Sequence, residues 1–289
     1  MRNFFTKKLL YTLTSSLSIA LGIFFVKMAY KAGAQVVPFV IQALFCGSCF
    51  LGIYLLFFQR ENFRQLDSGV LKSLFLIGFF VGINYFTASY AMSLISTINY
   101  SLLSKSTLIF TVLLAYFFLG EKLSKRKIFL IILLIIGAYL VSTKGESIYF
   151  QVADLLVFIT VLLKSIANII QKKTLNKKVS PEIVGFARIF IGTLVLTIIY
   201  FLFDSKKEFK ILVPHLVLLV GVINAFIVVS MNRVIQIAGA GYLEMILMSV
   251  PVFNIVLGIL FLGESINSFQ ILGSILIIGS GVFLVFKKV

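Results

Sequence analysis

The chain has 289 residues, of which 60% are hydrophobic and only 12% are charged, and its mean hydropathy is +1.10. Soluble domains of this length carry about 25% charged residues, so the composition excludes an ordinary soluble protein. The formal net charge of +16 would suit a nucleic-acid-binding protein, but the positions of the basic residues argue for a membrane protein instead.

Apolar runs of about 20 residues recur from end to end, and each is long enough to cross a bilayer as a helix. A lone strand cannot satisfy its backbone in lipid, so these runs are predicted to be helical. The predicted fold class is an all-α polytopic membrane protein with ten transmembrane helices, over residues 9–29, 36–58, 71–93, 97–119, 126–143, 151–172, 182–203, 212–235, 240–262 and 267–286.

Basic residues are concentrated in alternate loops. Seventeen Lys and Arg residues fall on the side of the N-terminus, and five fall on the other side, namely Lys31, Lys144, Lys206, Lys207 and Lys210. Cytoplasmic loops are enriched in Lys and Arg, so both termini are predicted to be cytoplasmic, which requires an even number of spans. The expected location is the cell (inner) membrane.

A constant offset of 143 residues aligns the two halves of the chain. The stretch AYFFLGEKLS at 115–124 returns as GILFLGESIN at 258–267. Each half holds five predicted spans, and an odd number makes the halves enter the membrane from opposite sides. The prediction is two inverted five-helix repeats, residues 1–146 and 147–289, which is the plan of many secondary transporters.

The stretches YAMSLISTINYSLLSKSTLIFTVLLAYFFLGEKLS at 90–124 and VPVFNIVLGILFLGESINSFQILGSILIIGSGVFLV at 250–285 resemble the EamA family of the drug/metabolite transporter superfamily. In both, an apolar run closes in Leu-Gly-Glu. The first half has Leu108 where the second has Pro251, and Phe45 takes the place of an Arg usual in the family. The resemblance implies secondary transport by rocking of the two halves.

Polar groups inside a bilayer are costly, so they are the candidates for function; a charged residue at a helix centre costs roughly 2.5–3.5 kcal/mol. We predict that they face a wet cavity or one another. The candidate substrate-binding residues are Lys105, Lys164, Glu244, Asn84, Asn168, Asn224, Tyr85 and Tyr100. The alternatives are an ion pair between Lys105 and Glu244, snorkelling of Lys164, and simple helix packing by the Asn residues.

Four further residues are candidates for gating or structure. Pro251 lacks an N–H and is expected to kink span 9, freeing the carbonyl of Leu247. Glu121 and Glu264 end the fourth helix of each half, where a structural latch is the first interpretation and proton coupling the second. Arg188 is expected to anchor span 7 at the inner interface.

The sequence has no Walker loop, and a single His with ten acidic residues gives no metal or Ser-His-Asp set. No cofactor, metal or catalytic residue is therefore expected. Cys46 and Cys49 are interpreted as small packing residues rather than a redox pair. The expected partners are a small-molecule substrate and membrane lipid, with no nucleic acid; association as a homodimer is left open.

Three functions follow. The first is a secondary exporter or exchanger of a small polar metabolite such as an amino acid, with Glu244 near an ammonium group and Lys105 or Lys164 near a carboxylate. The second is an exchanger of phosphorylated or nucleotide-like anions, because cations outnumber anions within the spans. The third is a membrane scaffold or assembly factor, or an enzyme; a dry, filled centre would favour the scaffold.

Overall fold

The computed structural model describes residues 2–59, 66–119, 124–145, 151–203, 209–238 and 247–286. Side chains are described within these ranges from residue 14 to residue 283, apart from positions 115, 119, 237 and 238. These residues form helices and no strands. The helices are α1 (Arg2–Lys31), α2 (Val36–Phe58), α3 (Ser68–Leu94), α4 (Thr97–Leu103), α5 (Thr107–Leu119), α6 (Lys125–Thr143), α7 (Val152–Asn176), α8 (Pro181–Phe203), α9 (Pro214–Ala238), α10 (Val250–Leu262) and α11 (Ser268–Phe286).

The helix ends agree with local sequence signals. Asp67 and Ser124 accept a hydrogen bond from the backbone N–H three residues on, at the starts of α3 and α6. Gly263 ends α10 with a φ of 64°, a left-handed conformation that glycine adopts without steric cost. Hydropathy and these caps explain why the predicted spans and the observed helices agree to within a few residues at most boundaries.

Seven helical segments of the described chain are long and apolar enough to cross a membrane, and α10 and α11 are shorter apolar helices. The seven are α2, α3, the α4–α5 segment as far as Phe118, α6, α7, α8 and α9. Their outer surfaces carry large exposed apolar side chains, among them Phe57 and Phe203, which are 79% and 77% exposed. Such a surface fits lipid and not water, so the chain is an integral membrane protein.

The helix contacts repeat between the two halves of the chain. α3 packs on α7 and α8, and its counterpart α9 packs on α1 and α2. Likewise α5 packs on α7, and α10 packs on α1. Two further large contacts, α2 with α8 and α6 with α11, join counterparts to each other. A two-fold pseudo-symmetry that exchanges the halves produces this pattern.

Candidate functional site

The predicted fourth span is not one continuous helix. A 3₁₀ turn over Ser104–Ser106 separates α4 from α5, and Lys105 lies in this turn. Two side-chain hydroxyls hydrogen-bond to backbone carbonyls at this turn. Ser104 donates to the carbonyl oxygen of Ser101, and Thr107 donates to that of Ser104. Side chains that bond the backbone in this way compete with the helical ladder.

The second half is interrupted at the matching position. Residues 248 and 249 form a turn, and α10 begins at Val250. Pro251 therefore lies in the first turn of a helix, where a backbone N–H makes no intrahelical hydrogen bond, so the lack of one costs nothing. The expected kink within a continuous span is thus a helix start, and the offset of 143 residues aligns this turn with Ser104–Ser106.

A cavity of about 190 Å³ lies between the halves, beside both interruptions. It is smaller than the roughly 300–1,000 Å³ of a site for a drug-sized ligand, so it suits a small metabolite. Its lining residues come from helices of both repeats: Ile19, Gly22, Ile23, Val26, Val40, Ala43, Leu44, Asn84, Tyr85, Ala88, Ser89, Met92, Tyr100, Ser104, Lys105, Thr107, Thr160, Val161, Lys164, Arg188, Val220, Asn224, Ile227, Val228, Met231, Leu247 and Val250.

The cavity has one polar wall and one apolar wall. Helices α3, α4, α5, α7 and α8, with the 3₁₀ turn, supply most of its polar side chains, whereas α1, α2, α9 and α10 supply mainly Ile, Val, Leu, Ala and Met. The 143-residue offset pairs polar Asn84, for example, with apolar Ile227. The two walls, each built from helices of both repeats, thus present different chemistry to one cavity.

Three cations reach this cavity, namely Lys105, Lys164 and Arg188. Lys105 and Arg188 are each only 7% exposed, and Lys164 is half-buried. The described part of the lining contains no Asp or Glu. A low-dielectric space with this charge attracts an anionic group, because Coulomb interactions strengthen as water is excluded.

A chain of hydrogen bonds fixes Arg188 in the wall. Its Nη1 donates to Oε1 of Gln171 at 2.7 Å, and Nε2 of Gln171 donates to Oδ1 of Asn232. Nδ2 of Asn232 then donates to the carbonyl oxygen of Pro181 at 2.8 Å. Arg188 is therefore a buried cavity residue and not the interface anchor that the sequence led us to expect.

Asn84 and its neighbours form a second buried network. Nδ2 of Asn84 donates to the carbonyl oxygen of Thr160 at 2.6 Å, and the hydroxyl of Thr160 donates to that of Thr87 at 2.8 Å. On the other wall, Nδ2 of Asn224 donates to the carbonyl oxygen of Val220 one turn earlier. In both amides the Nδ2 group is engaged with backbone, which directs each Oδ1 acceptor away from that carbonyl.

The structure gathers most of the predicted substrate-binding residues at the cavity. Six line it, and Asn168 does not; Pro251, a candidate for gating, does not line it either. Helical spacing put Asn168 on one face with Lys164 but did not tell how far along α7 the cavity extends. Glu244 and Glu121 lie outside the described residues. The six that line the cavity are Lys105, Lys164, Asn84, Asn224, Tyr85 and Tyr100.

Glu264 lies away from the cavity and joins the two repeats. Its Oε1 accepts from the backbone N–H of Thr97 at 2.7 Å and its Oε2 from that of Ile98 at 3.0 Å. Ser96 caps the next N–H, so the N-terminus of α4 is satisfied. A Cβ on Gly258 would lie 2.8 Å from Oε2, so this glycine leaves the room that the carboxylate occupies.

Two lysines of α1 bind helix ends nearby. Nζ of Lys27 donates to the carbonyl oxygens of Met92 and Ile95 at 2.7 and 2.6 Å, at the C-terminus of α3. Nζ of Lys31 donates to that of Leu262, at the C-terminus of α10. Cations stabilise helix C-termini, so this end of the bundle is held by charge as well as by packing.

Sequence reasoning missed the roles of Gln171 and Asn232. Both are buried, at 2% and 0% exposure, and neither lines the cavity. A buried amide signals a partner, but the sequence does not tell which one. Cys46 and Cys49 are free thiols, and within the described ranges no three potential metal ligands cluster.

Comparison with known proteins gives one family. The model of the EamA-like transporter family matches residues 6–143 and 151–286, one match for each repeat. A solved structure described as "Crystal structure of protein" is similar, with a TM-score of 0.65 at 14% identity over 95% of this chain and 97% of that chain. At this identity the likeness shows the fold alone. No curated protein matches the chain.

Proposed function

We propose, because the chain belongs to the EamA-like transporter family, that it is a secondary carrier of a small polar metabolite such as an amino acid, acting as an exporter or exchanger. The proposal extends the resemblance seen in the sequence, which the family match confirms. In this proposal the ten apolar segments are ten transmembrane helices in two inverted repeats. Both termini lie in the cytoplasm, and the protein lies in the cell (inner) membrane.

The observation that carries the proposal is the cavity, with its three cations and two amides, beside two interrupted helices. Interrupted helices near the middle of a membrane are where secondary transporters bind substrates, because the free backbone groups and side chains there are shielded from lipid. Here both interruptions fall at equivalent points of the two repeats, at Ser104–Ser106 and at residues 248–249. A scaffold would have no use for such a cavity and would fill it with side chains.

The cavity chemistry suits a zwitterion. Lys105 and Lys164 are the proposed contacts of the carboxylate, since both line the cavity. Oδ1 of Asn84 and of Asn224 are neutral acceptors for an ammonium group, and Glu244 remains a proposed contact of the same group. Transport then proceeds as one half rocks on the other and exposes the cavity to each side of the membrane in turn.

A second candidate is an exchanger of phosphorylated or other anionic metabolites. The three cations and the absence of a carboxylate in the described lining favour it. A phosphate would use more of this positive charge than a single carboxylate does. The two candidates differ in whether an ammonium group on the substrate strengthens binding or weakens it.

Counterflow into proteoliposomes tests both. Vesicles loaded with an amino acid mixture, a dicarboxylate or a sugar phosphate are offered the same radiolabelled solute outside. We expect accumulation of amino acids, and a loss of at least about tenfold in Lys105→Ala and Lys164→Ala, because a charge-assisted bond is lost. Lys72→Ala removes an exposed cation from α3 and is the matched control. Counterflow of none of these solutes by folded protein would refute the carrier, and flow of sugar phosphate alone would favour the second candidate.

A further inference from the structure

We infer that the cavity selects an amphipathic anion, and that Arg188 is the fixed group that recognises the anionic head. This inference rests on the proposed function and narrows its substrate class to carboxylates that carry an apolar body, as the apolar amino acids do. It goes beyond the lysines, because it assigns the orienting contact to a residue that the sequence marked as an interface anchor.

The first argument is preorganisation. In the chain from Arg188 to the backbone of Pro181, each amide accepts through its oxygen and donates through its nitrogen, so the chain runs in a single direction. Neither Gln171 nor Asn232 can turn over without losing a bond to a buried partner. The guanidinium is therefore held before any ligand arrives, and little side-chain freedom is lost on binding. A lysine on its flexible four-carbon stem lacks this property.

The second argument is the donor that the protein leaves unused. A guanidinium carries five N–H donors, and Nη1 of Arg188 is bonded to Gln171. Nε is buried and has no hydrogen-bond partner among the residues that the structure describes. Nε and Nη2 form the edge with which arginine binds a carboxylate in two parallel hydrogen bonds. Leaving a buried donor unmatched is unfavourable. Nε has almost no accessible surface, so an oxyanion reaches it only when the wall beside it shifts, and the Tyr85 hydroxyl already shares the guanidinium.

The third argument is the opposite wall. Tyr85, whose hydroxyl interacts with Arg188, and Lys164 lie on the polar side. The rest of the lining includes side chains such as Ile23, Ile227 and Met231 from α1 and α9. These side chains carry no charge that could pair with a second ionic group of the ligand. They would favourably bury an apolar part of the ligand. A ligand with one anionic end and an apolar body satisfies both walls, whereas a small dianion satisfies only one.

Equilibrium dialysis of the full chain in detergent tests this without requiring transport. The probes are radiolabelled 3-phenylpropionate, its neutral isostere 3-phenylpropanamide, and succinate as the hydrophilic dianion, with empty micelles subtracted. We expect the wild type to bind 3-phenylpropionate at least about tenfold more tightly than either of the other two, the factor set by one charge-assisted pair or by the lost apolar burial.

Variants then assign the contact to Arg188. Arg188→Gln is expected to bind the acid and the amide equally, and Arg188→Lys to keep part of the preference for the acid. Gln171→Glu places a carboxylate against the guanidinium and is expected to weaken binding of the acid but not of the amide. Lys72→Gln removes an exposed cation instead and is expected to match the wild type.

Two outcomes overturn the inference: equal wild-type affinity for acid and amide, or an unchanged preference for the acid in folded Arg188→Lys and Gln171→Glu. Neither would touch the proposed carrier function, which counterflow measures separately. Conversely, counterflow of none of the solutes, together with an Arg188-dependent preference for the acid, would refute the carrier and leave the binding site standing. The comparison of acid with amide on the wild type needs no variant, so misfolding of Arg188→Gln does not weaken the test.

Discussion

Replacing Glu264 by Gln tests how strongly the two repeats are joined. The carboxylate offers two acceptor oxygens to two backbone donors, at 2.7 Å from the nitrogen of Thr97 and 3.0 Å from that of Ile98. Both residues are buried, with exposures of 2% and 0%. A glutamine side chain of the same shape has only one acceptor oxygen, and its NH₂ group would face the other N–H.

The expected cost follows from these contacts. One buried N–H loses its partner, which costs about 1–3 kcal/mol, and the other bond loses its charge assistance, worth about 1 kcal/mol. A negative charge is also lost at the N-terminus of α4, where it contributes about 0.3–1 kcal/mol. Because Glu264 is only half-buried, solvent screening reduces these terms, and we expect a total of about 2–4 kcal/mol.

The assay is equilibrium unfolding by SDS titration in mixed micelles, followed by circular dichroism. Asp67→Asn is the matched control, because Asp67 caps its own helix from an exposed position and Asn caps about as well as Asp. The control is expected to lie within about 0.5 kcal/mol of the wild type. If Glu264→Gln does so too, the carboxylate does not hold α4 and the reasoning is wrong.

Two other substitutions test packing and buried polarity by the same titration. A Cβ on Gly78 would overlap the side chain of Ile191, so Gly78→Ala is expected to lower the free energy of unfolding by about 1–3 kcal/mol. A Cβ on Gly279 meets no atom within 4 Å, so Gly279→Ala is the control and should be neutral or stabilising. Equal effects of the two substitutions would contradict the close contact at Gly78. Asn254 is fully buried, and neither its amide nitrogen nor its amide oxygen has a hydrogen-bond partner in the described chain. Asn254→Leu should therefore stabilise the fold by about 1–2 kcal/mol. A loss of stability would mean that the amide does form a hydrogen bond.

The helices were predictable because their signal is local. Hydropathy located α2 at 36–58, as observed, and the recurring Leu-Gly-Glu stretch pointed to a family whose model matches residues 6–143 and 151–286. The interruption at Ser104–Ser106 was not predicted, because no proline or glycine marks it. It arises where Ser and Thr hydroxyls compete for the carbonyls of the helix, and that competition is decided by the neighbouring helices.

The site was predictable only in part. Polar residues in apolar spans gave Lys105, Lys164 and Asn84, because a bilayer makes each of them costly unless it faces a cavity. Spacing along one helix did not reveal that Gln171 and Asn232, on α7 and α9, fix the guanidinium of Arg188. Such pairs depend on how helices cross, which no periodicity within one segment encodes.

The pseudo-symmetry separates residues that build the fold from residues that serve the cavity. Packing contacts occur in equivalent pairs: the contact of α3 with α8 has its counterpart in the contact of α9 with α2, as two copies of one repeat require. The cavity cations occur once: the 143-residue offset pairs Lys105 with Met248, Lys164 with Leu21, and Arg188 with Phe45. Since the equivalent position in the other repeat tolerates an apolar side chain each time, a cation is not needed there to pack the helices. Three cations that helix packing does not require, gathered at one cavity, support the proposal that a ligand uses them.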